Sequence, residues 1–218
     1  MKISILIPTI KPESEIQNQV DAIHESMKGC PAEYEVIVQS AMLSAAINRN
    51  KLLEKSTGNY IIFVDDDIEN YLKGWALELV KPLNDTIRII SAKLMNADGT
   101  PGTMISFRKK IDNSNVWLSD DCLLPTACMA MKRETWLAVR DSVIVPENIP
   151  FDENYIRANA EDSDICMAVK KVFPDMKVAV NNLVKVTHRN NEVWRTDNPE
   201  DWKQNHRLFR KKWGRDPN

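Results

Sequence analysis

Short apolar runs alternate with amphipathic helical patterns in the first half of the chain, and this alternation restricts the fold more than any other feature. Residues 3–7, 34–38 and 60–64 are predicted strands, and the apolar runs among them are typical of strands buried on both faces. A helix is predicted over 44–55, with Gly58 as its C-terminal cap. Another helix is indicated by the apolar stripe of Ile16, Val20, Ile23 and Met27. This order predicts an α/β fold with a mostly parallel central sheet flanked by helices.

The second half of the chain is less regular. Residues 96–102 (NADGTPG) predict a hairpin turn, and strand candidates follow at 104–107 and 116–118. An apolar run at 126–131 precedes a helix that is expected to begin near Arg133. The other predicted elements are helices over 73–83 and 162–173, strands over 87–92, 177–180 and 184–186, and a C-terminal helix from Pro199. We therefore expect a small antiparallel portion in this half.

Composition assigns the chain to a broad class. Its 218 residues are 43% hydrophobic and 28% charged, with a net charge of -2, which suits one domain with or without a small appendage. This balance excludes a basic nucleic-acid-binding surface over the whole chain, and it excludes disorder. Four scattered cysteines without a C-x-x-C pair indicate free thiols in a reducing compartment. Because no apolar stretch suits a membrane span or a signal peptide, we expect a cytoplasmic protein without a transmembrane segment.

Three adjacent carboxylates, Asp65, Asp66 and Asp67, directly follow the run at 60–64. We expect them at the carboxyl end of a buried parallel strand, which is where open α/β sheets bind ligands. Their mutual repulsion requires that they either point into water or hold a cation. The pattern predicts a metal site or, alternatively, a solvated acidic turn.

A second acidic group contains Glu161 and Asp162 at the start of a predicted helix. Acidic residues at such a position often only complement the helix dipole. A carboxylate placed over a reaction centre is also what a general base requires. His188 follows the predicted strand at 184–186 and is either a structural or exposed histidine or a metal ligand through its neutral imidazole.

The order of several short motifs resembles that of family 2 glycosyltransferases. The motifs are IPT after the first strand, NRNKLLEKSTGNYIIFVDDD, TACMAMKRETW, PFDENYIRANAEDSDI and a distal histidine, and together they cover residues 1–188. The resemblance implies a GT-A (Rossmann-like) fold. It also implies transfer of a sugar from a nucleotide-diphosphate donor to a hydroxyl of a glycan, a glycolipid or another acceptor.

The resemblance assigns nucleotide-binding roles to individual residues. Arg49 would neutralise carboxylates or the diphosphate, or it would be a structural arginine of its helix. Gln39 stands near the position where the family often has a base-binding Asp, so the identity of the base stays open. The residues implied on the nucleotide side are Pro8, Thr9, Gln39, Asn48, Arg49, Asp65 and Asp66.

The resemblance also implies catalytic and metal-binding roles. Asp162 would be the general base of an inverting single displacement, with Glu161 as its partner. The implied cofactor is Mn²⁺ or Mg²⁺, since carboxylate and imidazole ligands suit these ions. Its ligands would be Asp67 and His188, with Asp65 as a third.

The implied organisation is a GT-A catalytic domain at 1–190 followed by a helical tail at 191–218. Within the domain, residues 1–95 would bind the nucleotide sugar and residues 96–190 the acceptor. The tail carries an aromatic stripe that is expected to pack on the domain, formed by Trp202, Phe209 and Trp213. Its basic face is either solvated or a binding site for an anionic surface or nucleic acid.

Two other functions use similar residues. A nucleotidyltransferase also binds a nucleotide and a metal through carboxylates, but it usually has a glycine-rich loop after the first strand, where this chain has IPTIKPES. A non-catalytic nucleotide-sugar-binding module is the second alternative. The presence of Asp67, Asp162 and His188 in one chain argues against such a module.

Overall fold

The computed structural model describes residues 1–102, 109–110, 115–119, 123–142, 149–189 and 199–217. The helices are α1 (Glu13–Ser26), α2 (Ala45–Lys55), α3 (Trp75–Val80), α4 (Arg133–Arg140), α5 (Glu161–Val172) and α6 (Pro199–Trp213). The strands are β1 (Lys2–Thr9), β2 (Glu33–Ser40), β3 (Tyr60–Val64), β4 (Ile68–Glu69), β5 (Ile87–Met95), β6 (Lys109–Lys110), β7 (Val116–Ser119), β8 (Cys128–Lys132) and β9 (Lys177–His188). The strand predicted at 104–107 lies outside the described residues.

The strands form one sheet in the order β2-β1-β3-β8-β5-β9-β7-β6, and β4 pairs with the end of β9. Strand β1 is parallel to β2 and β3, and β5 is parallel to β9. Strand β8 runs antiparallel between β3 and β5, so β5 and β9 point in the same direction as β1 to β3. This confirms the mostly parallel α/β sheet, and the antiparallel β7 and β6 form one edge of it.

The core lies on both faces of the sheet. In β3, Ile62 and Val64 pack with α1 and α3, whereas Ile61 and Phe63 pack with α2, α4, α5 and α6. The stripe predicted on α1 is confirmed, since Val20 is half-buried and the other three members are fully covered. Helices on both faces explain why the central strands are apolar throughout.

The prediction that Gly58 caps α2 is wrong. The helix ends at Lys55, and the backbone N–H of Ser56 closes its last turn on the carbonyl of Leu52. Gly58 lies against β1, where an added Cβ atom would be 2.6 Å from the backbone nitrogen of Ser4. Close approach of two backbones, rather than a left-handed turn, therefore requires glycine here.

Helix α6 packs on the same face of the sheet as α4 and α5. Phe209 is fully buried and Trp213 packs against the same core, which confirms the predicted packing for these two members of the aromatic stripe. The third member, Trp202, stacks on His206 of the same helix. Three of its basic side chains form ion pairs within the chain: Lys203 with Glu200, Arg210 with Asp216, and Lys212 with Asp152 and Asp164. Part of the basic charge is thus neutralised internally, and binding to an anionic surface stays a prediction.

The predictions on membrane spans and on cysteines can be compared with the structure within the described residues. None of the helices in the described ranges is long and apolar enough to cross a bilayer. Cys30, Cys128 and Cys166 are free thiols, and the last two are buried.

Candidate active site

The parallel strands β1, β2 and β3 bring their carboxyl ends to one edge of the sheet. Thr9 at the end of β1 is in register with Ser40 at the end of β2. Asp65 follows β3, and its backbone N–H donates to the carbonyl of Ala127 at 2.9 Å. The predicted loop residues therefore share the edge at which α/β sheets bind ligands.

The three carboxylates after β3 turn towards different partners inside the molecule. Asp66 accepts a hydrogen bond from the Thr9 hydroxyl and lies 3.1 Å from the Lys11 ammonium group. Because the carboxylates diverge, their repulsion is relieved by separate donors. The pairs are Asp65 with Arg49, Asp66 with Thr9 and Lys11, and Asp67 with His188.

Arg49 connects the two acidic groups of the sequence. Its Nη2 is 2.9 Å from Asp65 Oδ1, and its Nη1 is 2.6 Å from Glu161 Oε1. The Arg49 and Glu161 side chains are only 3% and 4% exposed. Burial alone would lower the pKa of Arg49, but the two carboxylates raise it above its ordinary value. Arg49 thus neutralises Asp65 and Glu161 within the protein, and its binding to a diphosphate stays a prediction.

Asp162 lies beside this ion pair in the first turn of α5. Its Oδ1 accepts a hydrogen bond from the backbone N–H of Ser163 at 2.7 Å. Burial, together with the charge of Glu161, raises the pKa of Asp162 to about 7. Burial also raises the pKa of Glu161, although Arg49 favours its ionised form. A partly buried carboxylate with a pKa near neutrality has the properties of a general base.

Asp67 and His188 meet because β4 pairs with the end of β9. Ile68 is opposite His188 in this antiparallel pair, and His188 Nε2 is 3.2 Å from Asp67 Oδ1. Burial works against ionisation of Asp67, but the hydrogen bond and charge of His188 hold its pKa below the ordinary value. Within the described residues no three His, Cys, Asp or Glu side chains converge as a metal site. Asp65 pairs with Arg49, so its metal-binding role stays a prediction.

The remaining predicted residues line the ends of β1 and β2. Pro8 and Gln39 are in register, and the Gln39 amide oxygen accepts a hydrogen bond from Lys55 Nζ at 2.7 Å. Asn48 is buried and donates to the carbonyl of Ala41 at 3.0 Å. Its amide oxygen has no hydrogen-bond partner among the described residues. Base recognition by Gln39 stays a prediction.

Sequence reasoning missed several polar side chains around the site. Gln19 of α1 donates to the carbonyl of Asp65 at 2.8 Å, although its position in an amphipathic helix predicts only a polar face. Asn50 of α2 donates to the carbonyl of Phe151 at 2.8 Å and so fixes the segment that precedes α5. Lys11 lies two residues after Thr9, and this closeness in sequence to a predicted site residue could have indicated that Lys11 is near the site. Nothing in the sequence around Asn205 and Lys212 of α6 predicts that these side chains contact the segment around α5.

A family model described as glycosyl transferase family 2 matches residues 17–135, which is more than half of the chain. The chain belongs to this family.

Solved structures with similar folds confirm the GT-A architecture. One is glucosyl-3-phosphoglycerate synthase from Mycobacterium tuberculosis with Mn²⁺, UDP and glucosyl-3-phosphoglycerate (TM-score 0.61, 14% identity, 98% of this chain and 80% of that one). Others are S. aureus TarS 1-349 with UDP (0.60, 16%, 97% and 65%) and GalNAc-T7 with UDP, GalNAc and Mn²⁺ (0.58, 14%, 95% and 48%). The chain spans just under two-thirds of TarS 1-349 and just under half of GalNAc-T7. No curated protein sequence is significantly similar to it.

Proposed function

We propose that the protein transfers a sugar from a nucleotide-diphosphate donor to an acceptor hydroxyl, with inversion at the anomeric carbon. The observation that carries this proposal is the Arg49 bridge between Asp65 and Glu161, because it puts the acidic end of β3 next to the acidic start of α5. UDP is the first candidate nucleotide, since similar structures contain it. We further propose that residues 1–95 bind the donor, that 96–190 bind the acceptor, and that 191–218 form a tail.

The side chains of Asp67 and His188, which follow β3 and end β9, suit a divalent cation as ligands. Asp67 and His188 offer a carboxylate oxygen and an imidazole nitrogen 3.2 Å apart, and both side chains are about one-seventh exposed. This mixed set fits Mn²⁺ or Mg²⁺ with positions left for diphosphate oxygens. When bound, such an ion neutralises charge that develops on the leaving diphosphate.

The proposed transfer is a single displacement. Asp162 accepts the proton of the acceptor hydroxyl while that oxygen forms a bond to the anomeric carbon. The bond between this carbon and the diphosphate oxygen breaks, and the pair of electrons leaves with the diphosphate. Arg49 keeps Glu161 in place, and the charge of Glu161 keeps Asp162 basic enough for this role.

A panel of nucleotide sugars incubated with and without Mn²⁺ tests this function. A glycosyltransferase is expected to release nucleoside diphosphate, slowly by hydrolysis alone and faster when acceptor is present. A nucleotidyltransferase would instead form nucleotide sugar and pyrophosphate from sugar phosphate and nucleoside triphosphate. A binding module would raise its melting temperature with a nucleotide sugar but release no product.

The rate of transfer should depend on pH through Asp162. Burial and the neighbouring Glu161 raise its pKa to about 7, and only the ionised form can accept a proton. At saturating donor and metal, kcat is therefore expected to rise about tenfold per pH unit below that value and to level off above it. A kcat that stays flat between about pH 5.5 and about pH 8 would contradict Asp162 as the base.

Asp67→Ala should remove the metal dependence of nucleotide binding, because it deletes the carboxylate that faces His188. We expect Mn²⁺ to strengthen UDP binding to the wild type in titration calorimetry, and we expect EDTA to cancel this effect. Asp67→Ala should bind UDP with the same weak affinity in Mn²⁺ and in EDTA.

Asp98→Ala is the matched control, since this carboxylate lies in the exposed turn at 96–100. It should bind UDP with wild-type metal dependence. Wild-type affinity for UDP that is unchanged by EDTA would argue against the metal site.

A further inference from the structure

The loop that leads into α5 has a backbone that ordinary side chains disfavour. Arg157, Asn159 and Ala160 have φ angles of 55°, 83° and 73°, in the left-handed region. Ala160 is the N-cap of α5 and makes no capping hydrogen bond with its side chain. The placement of Asp162 therefore depends on the contacts that hold this loop.

Asn205 of α6 makes four of those contacts. Its side chain is fully buried, and its Oδ1 accepts a hydrogen bond from the backbone N–H of Ile156 at 2.9 Å. Its Nδ2 donates to the carbonyls of Ile156 and Ala158, both at 2.9 Å, and of Asn159 at 3.1 Å. One amide thus pairs with four backbone groups of a single loop.

A second contact from α6 reaches the first turn of α5 itself. Lys212 Nζ is 3.1 Å from Asp152 Oδ2 and 2.9 Å from Asp164 Oδ2. The Trp213 indole N–H donates to Asp164 Oδ1 at 2.6 Å. Because Asp164 is fully buried and lies two residues after Asp162, α6 holds the chain on both sides of Asp162.

We propose that Asn205 is a positioning residue for sugar transfer, which holds the Asp162 carboxylate against the acceptor hydroxyl through the loop at 156–160. The inference rests on the proposed function of Asp162. The four hydrogen bonds of the Asn205 side chain all go to this loop, whereas Asp67 and His188 lie at the pairing of β4 with β9. The hydrogen bonds of Asn205 do not reach Asp67 or His188, so we expect donor affinity to change less than kcat in Asn205 variants.

Asn205→Ala, compared with Phe209→Leu on the same helix, tests the proposal. Asn205→Ala is expected to lower kcat about 10- to 100-fold, since a displacement of about 1 Å is enough for such a loss. Its affinity for UDP in the presence of Mn²⁺ should stay within about twofold of wild type. Phe209→Leu changes a fully buried apolar side chain, so it should lower the melting temperature and leave kcat close to wild type.

Asn205→Asp separates positioning from packing. It keeps the oxygen that accepts from Ile156 but loses the N–H groups that donate to three carbonyls. It should therefore be as slow as Asn205→Ala, although it preserves the volume of the side chain. Hydrogen exchange of segment 156–164 should be faster in both Asn205 variants and unchanged in β4 and β9.

Two outcomes would overturn the inference. One is a kcat for Asn205→Ala within about threefold of wild type. The other is a result in which Phe209→Leu loses as much kcat as Asn205→Ala for the same decrease in melting temperature. If Asp162→Asn is inactive, either outcome refutes the positioning role of Asn205 but leaves the proposed role of Asp162 intact. If Asp162→Asn keeps wild-type kcat, the base assignment and this inference fail together.

Discussion

Asp162→Asn should abolish sugar transfer while leaving binding of the nucleotide sugar intact. The amide has nearly the same shape as the carboxylate but cannot accept the acceptor proton, so kcat should fall by about 10²- to 10⁴-fold. Affinity for the nucleotide sugar should be preserved, because Asp67 and His188, the proposed metal-binding residues, lie where β4 pairs with the end of β9. Transfer is measured with radiolabelled donor, and binding by titration with UDP and Mn²⁺.

Asp85→Asn is the matched control for this substitution. Its carboxylate is 88% exposed and pairs only at the surface, with Arg88. This variant should retain wild-type kcat and stability. A similar kcat for Asp162→Asn and wild type would remove Asp162 from the role of base.

Arg49→Met should cause a large loss of stability at neutral pH. It removes the cation that separates Asp65 from Glu161 and leaves the carboxyl group of Glu161 in a nearly closed environment without its counter-ion. Loss of one partner of a buried ion pair costs about 3–5 kcal/mol, which urea denaturation can measure. Addition of Glu161→Gln should restore part of this free energy, since the double variant no longer buries that charge.

The deficit of Arg49→Met should shrink in acid. Burial already raises the pKa of Glu161 in the wild type, and loss of Arg49 raises it further. A carboxyl group whose pKa is raised in the folded state destabilises the fold in full above that pKa; this cost shrinks as the pH falls through the folded-state pKa and vanishes below the unfolded-state pKa. The free energies of unfolding of variant and wild type should therefore converge as the pH falls.

Arg140→Met is the control for this experiment. Arg140 forms a partly exposed ion pair with Asp141 at 2.7 Å, so its loss should change stability by less than about 1 kcal/mol. Equal destabilisation by the two substitutions would show that the Arg49 bridge has no special role.

Local patterns predicted the elements well because hydrophobic periodicity is a local property. The apolar runs became β1, β3 and β5, and the stripe on α1 became its buried face. The acidic groups were likewise visible, because adjacent carboxylates are an unusual sequence feature. The error at Gly58 arose because two causes select glycine, and only the fold shows that close approach to Ser4 is the one that applies.

The predicted strands at 177–180 and 184–186 form one strand, β9. Its pairing with β5 shifts register between Ala92 and Lys93, and this irregularity accounts for the polar interruption in the sequence. The sequence does not predict that β8 lies antiparallel between β3 and β5, because strand order depends on contacts between distant segments.

The sequence by itself determined the strand–helix alternation, the covered faces and the chemical identity of the acidic groups. Only the tertiary structure decided how these groups are paired: Arg49 with Glu161, Asp67 with His188, and Asn205 with the loop before α5. The reason is physical. Periodicity is set by neighbouring residues, whereas an ion pair or a buried hydrogen bond joins residues that the chain separates and that only the packed fold brings within about 3 Å.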